Sequence, residues 1–262
     1  MVGKGVGARL RRKEDARFLH GRGEYVPNIE MVGMQNVAFV RSSVAHGRIR
    51  SIVKPAGFAQ AVFTIDDLIG VKPIVANSAL PGFKTSSQPA LAQGKVRFVG
   101  ETIAMCVAPT RAEAEDIAAM VEVDIEPLPA VTEMLMARNT EGPRVHEHWS
   151  DNVFLETKTE ADLTDIKAKA AIKVRRHIRT ARQSMAPIEG RGVVAMFDRR
   201  LDQLLMYSSA QMPHINRAGL SECLGIDQGR IRVVSPDVGG GFGYKALLLA
   251  EEVCLAWLAM RL

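Results

Sequence analysis

The sequence contains few cysteines, and they follow no pattern. Cys106, Cys223 and Cys254 are the only three in 262 residues, and no two of them form a C-x-x-C pair. An odd number of widely spaced cysteines is not the framework of a disulfide-stapled secreted fold, and it offers no ligand set for an iron–sulfur cluster. We therefore expect a chain that works in the reducing cytoplasm.

Long apolar runs and a targeting signal are also missing. The most apolar stretch, residues 246–262, contains three charged residues and is shorter than the roughly 20 apolar residues that cross a bilayer. Arg11 and Arg12 are followed by further charged residues, not by the apolar segment of an export signal. The sequence predicts no membrane span. It also predicts a helix in 246–262 that is buried on several sides, by this chain or by another.

Acidic residues are scarce near the N-terminus. Residues 1–54 contain 11 Lys and Arg against 4 Asp and Glu, so this segment alone carries +7 within a total net charge of +5. The cations are scattered among apolar positions, without interleaved aromatic residues or zinc-finger spacing. This pattern favours a solvated face or a subunit contact and argues against nucleic-acid binding.

Residues 1–130 are predicted to form an extended arm (1–34) and then a mixed α/β domain. The alternation of apolar residues predicts strands at 36–42, 49–53, 61–65, 95–99, 102–107 and 121–125. We expect the first two strands to form a hairpin, and the fourth and fifth to form a second pair. Thr110 is expected to cap a helix over 111–120.

Residues 131–151 are predicted to be a linker, and residues 152–262 a second domain. His146 and His148 form an H-x-H pair that could bind a metal, but no third ligand lies nearby in the sequence, so a surface loop is the preferred interpretation. The periodicity of the second domain predicts helices at 162–170 and 213–224, and strands at 172–183, 193–197, 204–208 and 231–234.

Four glycines in five positions surround one aromatic residue, Phe242. They follow the predicted strand 231–234 and precede the apolar stretch 246–262. Glycines let backbone N–H groups approach a bulky ligand closely, and a following helix N-terminus adds partial positive charge. We expect this loop to hold a phosphate or a metal-bound oxygen, and a side chain at Gly241 to obstruct that ligand. A plain tight turn is the alternative.

Two common phosphate loops do not fit the sequence well. The P-loop requires Gly followed directly by Lys and then Ser or Thr, whereas Tyr244 separates Gly243 from Lys245. A dinucleotide fingerprint can be aligned on Gly241, Gly243 and Ala246, but its acidic residue about 20 positions further on would fall beyond the last residue. A nucleotide-binding module remains a third hypothesis on this alignment.

Seven motifs together resemble the molybdenum-binding large subunit of the xanthine dehydrogenase, aldehyde oxidase and carbon monoxide dehydrogenase family. Three lie in the second domain: QSMAPIEGRGVVA at 183–195, SSAQMPHINRAGLSECLGI at 208–226 and PDVGGGFGYK at 236–245. Four resemble the family's hammerhead domain: GEYVPNI at 23–29, FVRSSVAHGRI at 39–49, KVRFVGETIA at 95–104 and VEVDIEPLPAV at 121–131. The resemblance implies an α+β architecture, in which an α/β hammerhead domain is followed by the first part of a molybdopterin-binding domain.

The resemblance also implies a cofactor site at the glycine loop. Gln211, Gly240, Gly241, Phe242 and Gly243 match family positions that contact molybdopterin, here in its cytosine dinucleotide form. Gln211 and Phe242 would lie near the molybdenum and donate hydrogen bonds to an oxo ligand, from the carboxamide and the backbone N–H respectively.

The reaction implied by the resemblance is the water-dependent oxidation of a small carbonyl, N-heteroaromatic or CO substrate, with Fe–S and FAD on partner subunits. Purine-oxidising members place Glu four residues after the loop phenylalanine, where this chain has Ala246, so xanthine is disfavoured. The family's catalytic glutamate lies beyond the equivalent of Leu262, so no catalytic residue is assigned. We expect another polypeptide to supply the missing C-terminal half, without which the chain would be inactive. A noncatalytic fragment that binds a partner subunit is the second hypothesis.

Overall fold

The computed structural model describes residues 5–158 and 161–262, which divide into two compact units. The larger unit comprises 35–185 and 249–254, and the smaller unit comprises 5–34, 186–248 and 255–262. The helices are α1 (Asp15–Leu19), α2 (Arg111–Ala119), α3 (Thr164–Lys169), α4 (Pro213–Leu224) and α5 (Ala250–Ala259). The strands are β1 (Asn36–Arg41), β2 (Gly47–Val53), β3 (Val62–Phe63), β4 (Ile74–Ala76), β5 (Ser86–Gln88), β6 (Lys95–Val96), β7 (Thr102–Ala108), β8 (Glu122–Pro127), β9 (Val193–Asp198), β10 (Gln203–Ser208) and β11 (Ile231–Val234).

The larger unit contains three small antiparallel sheets, with the orders β1-β7-β3, β6-β2-β8 and β4-β5. Strand β7 is a nearly continuous apolar run that is buried along almost its whole length, so it takes neighbours on both edges. Helix α2 contributes Ala114 and Ile117 to the same core cluster as Ala104 and Cys106 of β7.

The predicted strand pairs of this unit are wrong, although the strands themselves are present. Strand β1 pairs with β7 and strand β2 with β8, so the two do not form a hairpin, and β6 and β7 lie in different sheets. The chain leaves the first sheet at Ser42, whose N–H donates to Glu101 O and whose carbonyl accepts from Gly100 N–H. Periodicity identifies a strand but not its partner, because the partner is chosen by long-range burial.

The predicted cap of helix α2, Thr110, is confirmed. The Glu113 N–H donates to the Thr110 hydroxyl oxygen at 3.2 Å, and the Thr110 N–H donates to the Glu113 carboxylate at 3.1 Å. This reciprocal arrangement satisfies two N–H groups at the start of the helix.

The predicted strand at 172–183 is wrong. Residues 170–185, which we call the basic segment, carry five Lys and Arg and no acidic residue, and lie exposed without regular structure. Ile172 and Ile178 are 82% and 84% exposed, and no backbone hydrogen bond joins the basic segment to any described residue. The alternation gives strand propensity, but a strand forms only where a neighbour accepts its hydrogen bonds.

The smaller unit is organised around β10, which pairs antiparallel with β9 and parallel with β11. Helix α4 makes the crossover between the parallel strands, as such a connection requires. It begins at Pro213, a position at which a backbone N–H would have no partner within the helix, and it ends at Gly225, whose φ of 67° is left-handed. The strand β11 then leads directly into the glycine-rich loop.

The C-terminal helix α5 begins at Ala250, later than the apolar stretch suggested, and its burial confirms the prediction. Val253, Cys254 and Ala256 are fully buried. The Leu249 N–H donates to the Glu252 carboxylate at 2.8 Å, which gives the helix a capped start. Among the described residues, no helix has the length and apolar character needed to cross a bilayer.

Candidate functional site

The candidate site is the glycine loop, residues 239–243, together with Gln211. Gly240 and Gly243 have φ values of 99° and 81°, and Phe242 between them has a φ of 53°. A bulky residue in the left-handed region is an outlier, and its side chain is 72% exposed, so burial of the ring does not account for the strain. Such strain is concentrated at ligand-binding sites.

Gln211 is hydrogen-bonded to the loop through both its side chain and its backbone. The Gly243 N–H donates to Gln211 Oε1 at 2.9 Å, and the Gln211 N–H donates to Lys245 O at 2.8 Å. A backbone N–H can only donate, so the accepting atom must be the carboxamide oxygen, which fixes the orientation of the amide. Within the described ranges the carboxamide nitrogen has no partner, and it remains available as a donor.

Gly241 makes room for Gln211. A Cβ built on Gly241 would lie 2.5 Å from both Cδ and Oε1 of Gln211, closer than any real contact. We expected this glycine to let a ligand approach the backbone, but its open side is filled by the Gln211 side chain. A side chain at 241 would therefore act first on Gln211.

Three consecutive backbone N–H groups of the loop, those of Gly240, Gly241 and Phe242, donate to no group in the described part of the chain. Successive free amides in a loop with left-handed residues form a concave site for an anion or another acceptor. The predicted contribution of a helix N-terminus is wrong, because residues 244–249 separate the loop from α5. Those residues form tight turns, in which Tyr244 N–H donates to Gly241 O.

A buried ion pair, missed by the sequence analysis, lies against the loop. Lys245 is fully buried, and its Nζ donates to Glu189 Oε2 at 2.8 Å. The Gly239 N–H donates to the same oxygen at 2.7 Å. The available signal is Glu189 within the motif at 183–195 and Lys245 two residues after the loop, but nothing in the local sequence pairs the two.

The two flanks of the loop are anchored by arginines. Arg17 donates to both carboxylate oxygens of Asp237, at 2.7 Å to Oδ1, and the Glu24 N–H donates to Oδ2 at 2.7 Å. The Arg17 side chain and then the Glu24 amide lower the pKa of Asp237 to about 2. On the other flank, Arg191 donates to Tyr244 O at 2.7 Å and to the carbonyl of residue 247 at 3.0 Å.

The histidine pair does not build a metal site among the residues described. The rings of His146 and His148 have centroids 5.9 Å apart, and burial, followed by the charge of Arg97, lowers the pKa of His146. No group of three or more His, Cys, Asp and Glu lies together in residues 5–158 and 161–262. The three cysteines are free and buried, and burial raises the pKa of Cys106 to about 11.

Two protein families match consecutive parts of the chain. Residues 20–129 match the a/b hammerhead domain of aldehyde oxidase and xanthine dehydrogenase, and residues 145–262 match the molybdopterin cofactor-binding domain. Together they account for most of the sequence, and the glycine loop and Gln211 lie within the second.

Individual relatives match nearly the whole chain. It is 34% identical over 268 residues to the carbon monoxide dehydrogenase large chain of Hydrogenophaga pseudoflava, which covers 95% of this chain and 33% of the relative. It is 35% identical over 256 residues to the nicotine 6-hydroxylase large subunit of Paenarthrobacter nicotinovorans, covering 95% and 31%. The crystal structure of quinoline 2-oxidoreductase from Pseudomonas putida 86 matches with a TM-score of 0.88 at 39% identity, covering 96% of this chain and 33% of that one. The chain thus spans about a third of the length of these relatives.

Proposed function

Because the chain belongs to the aldehyde oxidase and xanthine dehydrogenase family, with its hammerhead and molybdopterin cofactor-binding domains, we propose that it forms part of the large subunit of a molybdenum hydroxylase. Its role there is to bind the molybdopterin cofactor. The observation that carries this proposal is the glycine loop, in which three successive N–H groups and the nearby amide nitrogen of Gln211 have no partner among the described residues.

The residues present fit such a cofactor. Molybdopterin and its metal present oxygen acceptors, and the loop supplies three successive backbone donors that have no partner among the described residues. In this proposal Gly240, Gly241 and Phe242 donate from their N–H groups, and Gln211 donates from its carboxamide nitrogen. Gly243 has a different role, because its N–H already donates to Gln211 Oε1 and holds that side chain in place.

When bound, the cofactor would supply the redox chemistry by accepting two electrons from the substrate. This chain would supply fixed donors at the acceptor atoms nearest the metal, from Gln211 and Phe242. Preorganised donors of this kind stabilise developing charge without reorganising during the reaction. Gln211 can do so because its oxygen is locked to the loop, so its nitrogen has a defined direction.

The names of the relatives support a proposal for the substrate class and the partners. Their names include carbon monoxide dehydrogenase, nicotine 6-hydroxylase and quinoline 2-oxidoreductase. We propose a small carbonyl, N-heteroaromatic or CO substrate, oxidised with water, and not xanthine, since position 246 is alanine. We further propose molybdopterin cytosine dinucleotide as the cofactor form, the remaining part of the large subunit and iron–sulfur and flavin subunits as partners, and a cytoplasmic location.

The dinucleotide-binding alternative is disfavoured by the loop geometry. Its fingerprint needs glycines that open directly into a helix, where the pyrophosphate is held. Here Ala246 lies in a turn, and α5 begins only at Ala250.

The test is the metal content of the chain, tagged and purified under native conditions from its own cells together with whatever it assembles with. We expect about one molybdenum per chain by elemental analysis, and a molybdopterin derivative released by denaturation. A dinucleotide without molybdenum would favour the nucleotide-binding module, and neither ligand would favour the noncatalytic fragment.

Two variants refine the test of Gln211. Gln211→Ala should leave assembly intact and lower turnover, because one donor is removed from the site. The matched control is Gln228→Ala, an exposed glutamine whose side chain has no hydrogen-bond partner in the described part of the chain. Equal turnover in the two variants would remove Gln211 from the proposed site.

A further inference from the structure

The burial of the ion pair between Lys245 and Glu189 needs a physical explanation. Lys245 is fully buried and the Glu189 side chain is 10% exposed, with Nζ and Oε2 2.8 Å apart. Burying two charges is costly, and an apolar pair of similar volume often serves stability equally well. The pair is therefore better explained by what it orients than by the stability it adds.

Glu189 contacts Gly239, the first residue of the glycine loop, at three points. Its backbone N–H donates to Gly239 O at 3.2 Å, and its Oε2 accepts from Gly239 N–H at 2.7 Å. A Cβ on Gly239 would lie 2.5 Å from Glu189 Cβ, so the two backbones approach as closely as a glycine allows.

One carboxylate oxygen therefore joins the two ends of the loop. Glu189 Oε2 accepts from the Gly239 amide at the start of the loop and from the Lys245 ammonium group two residues after its end. Between these two points lie the residues whose N–H groups have no partner in the described part of the chain. Glu189 Oε1, in contrast, is buried without a hydrogen-bond partner among the residues described, so its carboxylate depends on Oε2 for its interactions.

We propose that Glu189 and Lys245 are positioning residues that hold the glycine loop in its binding conformation before the cofactor arrives. A loop ordered in advance loses less conformational entropy on binding, so the cofactor is retained more firmly. This inference rests on the proposed function, since it names how that same site is prepared.

The test compares two double variants that both remove the buried charges. Glu189→Gln with Lys245→Met keeps an oxygen that can accept from the Gly239 N–H. Glu189→Leu with Lys245→Met removes it. If the pair only stabilised the fold, the two double variants would behave alike in every measurement. We expect the two proteins to have similar urea midpoints but to differ at the glycine loop.

The first readout is hydrogen exchange of the peptide that contains Gly239, measured on the full chain without added cofactor. We expect about tenfold faster exchange in the Leu/Met variant than in the Gln/Met variant, because only the former lacks an acceptor. The second readout is molybdenum per purified chain, which should fall at least threefold in the Leu/Met variant and stay within twofold of wild type in the Gln/Met variant. Equal exchange in the two variants would overturn the inference.

Further outcomes separate this inference from the proposed function. If the Leu/Met variant does not fold, Glu189→Asp serves instead, since its shorter carboxylate cannot reach both Gly239 and Lys245 and should also speed exchange. If wild-type protein carries no molybdenum, the proposed function fails, whereas the exchange difference still tests the loop. Faster exchange with unchanged molybdenum content would refute the claim that order in the loop serves cofactor retention.

Discussion

A methyl group on residue 241 and the present side chain of Gln211 cannot occupy their positions together, since the added carbon would lie 2.5 Å from Cδ and Oε1. Gln211 is exposed, so in Gly241→Ala it can rotate into solvent and relieve the overlap. It then loses the hydrogen bond from the Gly243 N–H, at a cost of about 1 kcal/mol.

A second term opposes this loss. The φ of Gly241 is not left-handed, so alanine fits its backbone. Alanine then stabilises the fold by about 0.4–1 kcal/mol, because it reduces the conformational entropy of the unfolded chain. In the wild-type background the two terms nearly cancel, and the free energy of unfolding should fall by at most about 0.6 kcal/mol. In a Gln211→Ala background only the favourable term remains. The coupling between the two sites should therefore be about 1 kcal/mol.

Urea titrations of the wild type, both single variants and the double variant measure this coupling. Gly225→Ala is the matched control, because it has open space around its Cβ position but a φ of 67°, and its N–H donates to Ser221 O and not to Gln211. It should cost roughly 1–2 kcal/mol whether or not Gln211 is present. A coupling between Gly241 and Gln211 below about 0.3 kcal/mol would refute the contact on which the site geometry depends.

Three other changes test separate parts of the fold, each by urea titration. Thr110→Ala removes the cap of α2 and should lower the free energy of unfolding by about 1 kcal/mol, which serine should largely restore. The folded pKa of Asp237 is about 2 against the usual 3.8, so its pairing with Arg17 stabilises the fold above about pH 4, and this stabilisation is lost as pH falls through 2. The free energy of unfolding of Asp237→Asn should therefore be lower than that of the wild type at pH 5 and equal to it near pH 2. A constant difference between the two proteins from pH 5 to pH 2 would contradict this. Phe242→Gly should raise the free energy of unfolding by up to about 1 kcal/mol, because the relief of left-handed strain in the folded state exceeds the entropy that glycine adds to the unfolded chain. A decrease of the same size would mean that the exposed ring makes stabilising contacts.

The local signals in the sequence predicted most of the elements, but not helix α1 or strands β4 and β5. Thr110 capped its helix, Gly225 ended α4, and the alternating stretches became strands wherever a neighbour was present. The architecture, a hammerhead domain followed by part of a molybdopterin-binding domain, is confirmed by the family matches. These features could be predicted because each is decided within a few residues or by a motif.

Features decided at long range could not be predicted in the same way. Asp237 is paired with a residue 220 positions earlier, and Lys245 with one 56 positions earlier. Nothing in the local sequence states that Glu189 faces Gly239, or that the open side of Gly241 is filled by Gln211. The strand pairs failed for the same reason, since the sheets join strands that are distant in the chain.

The basic segment has a practical consequence for anyone handling the protein. All the strands of the larger unit precede it, and β9, β10 and β11 all follow it, so no sheet draws strands from both sides. Its five exposed lysines and arginines are trypsin sites on backbone that makes no backbone–backbone hydrogen bond to any described residue. A brief digestion should therefore cut the chain there first, into two peptides that each keep every strand next to its partner.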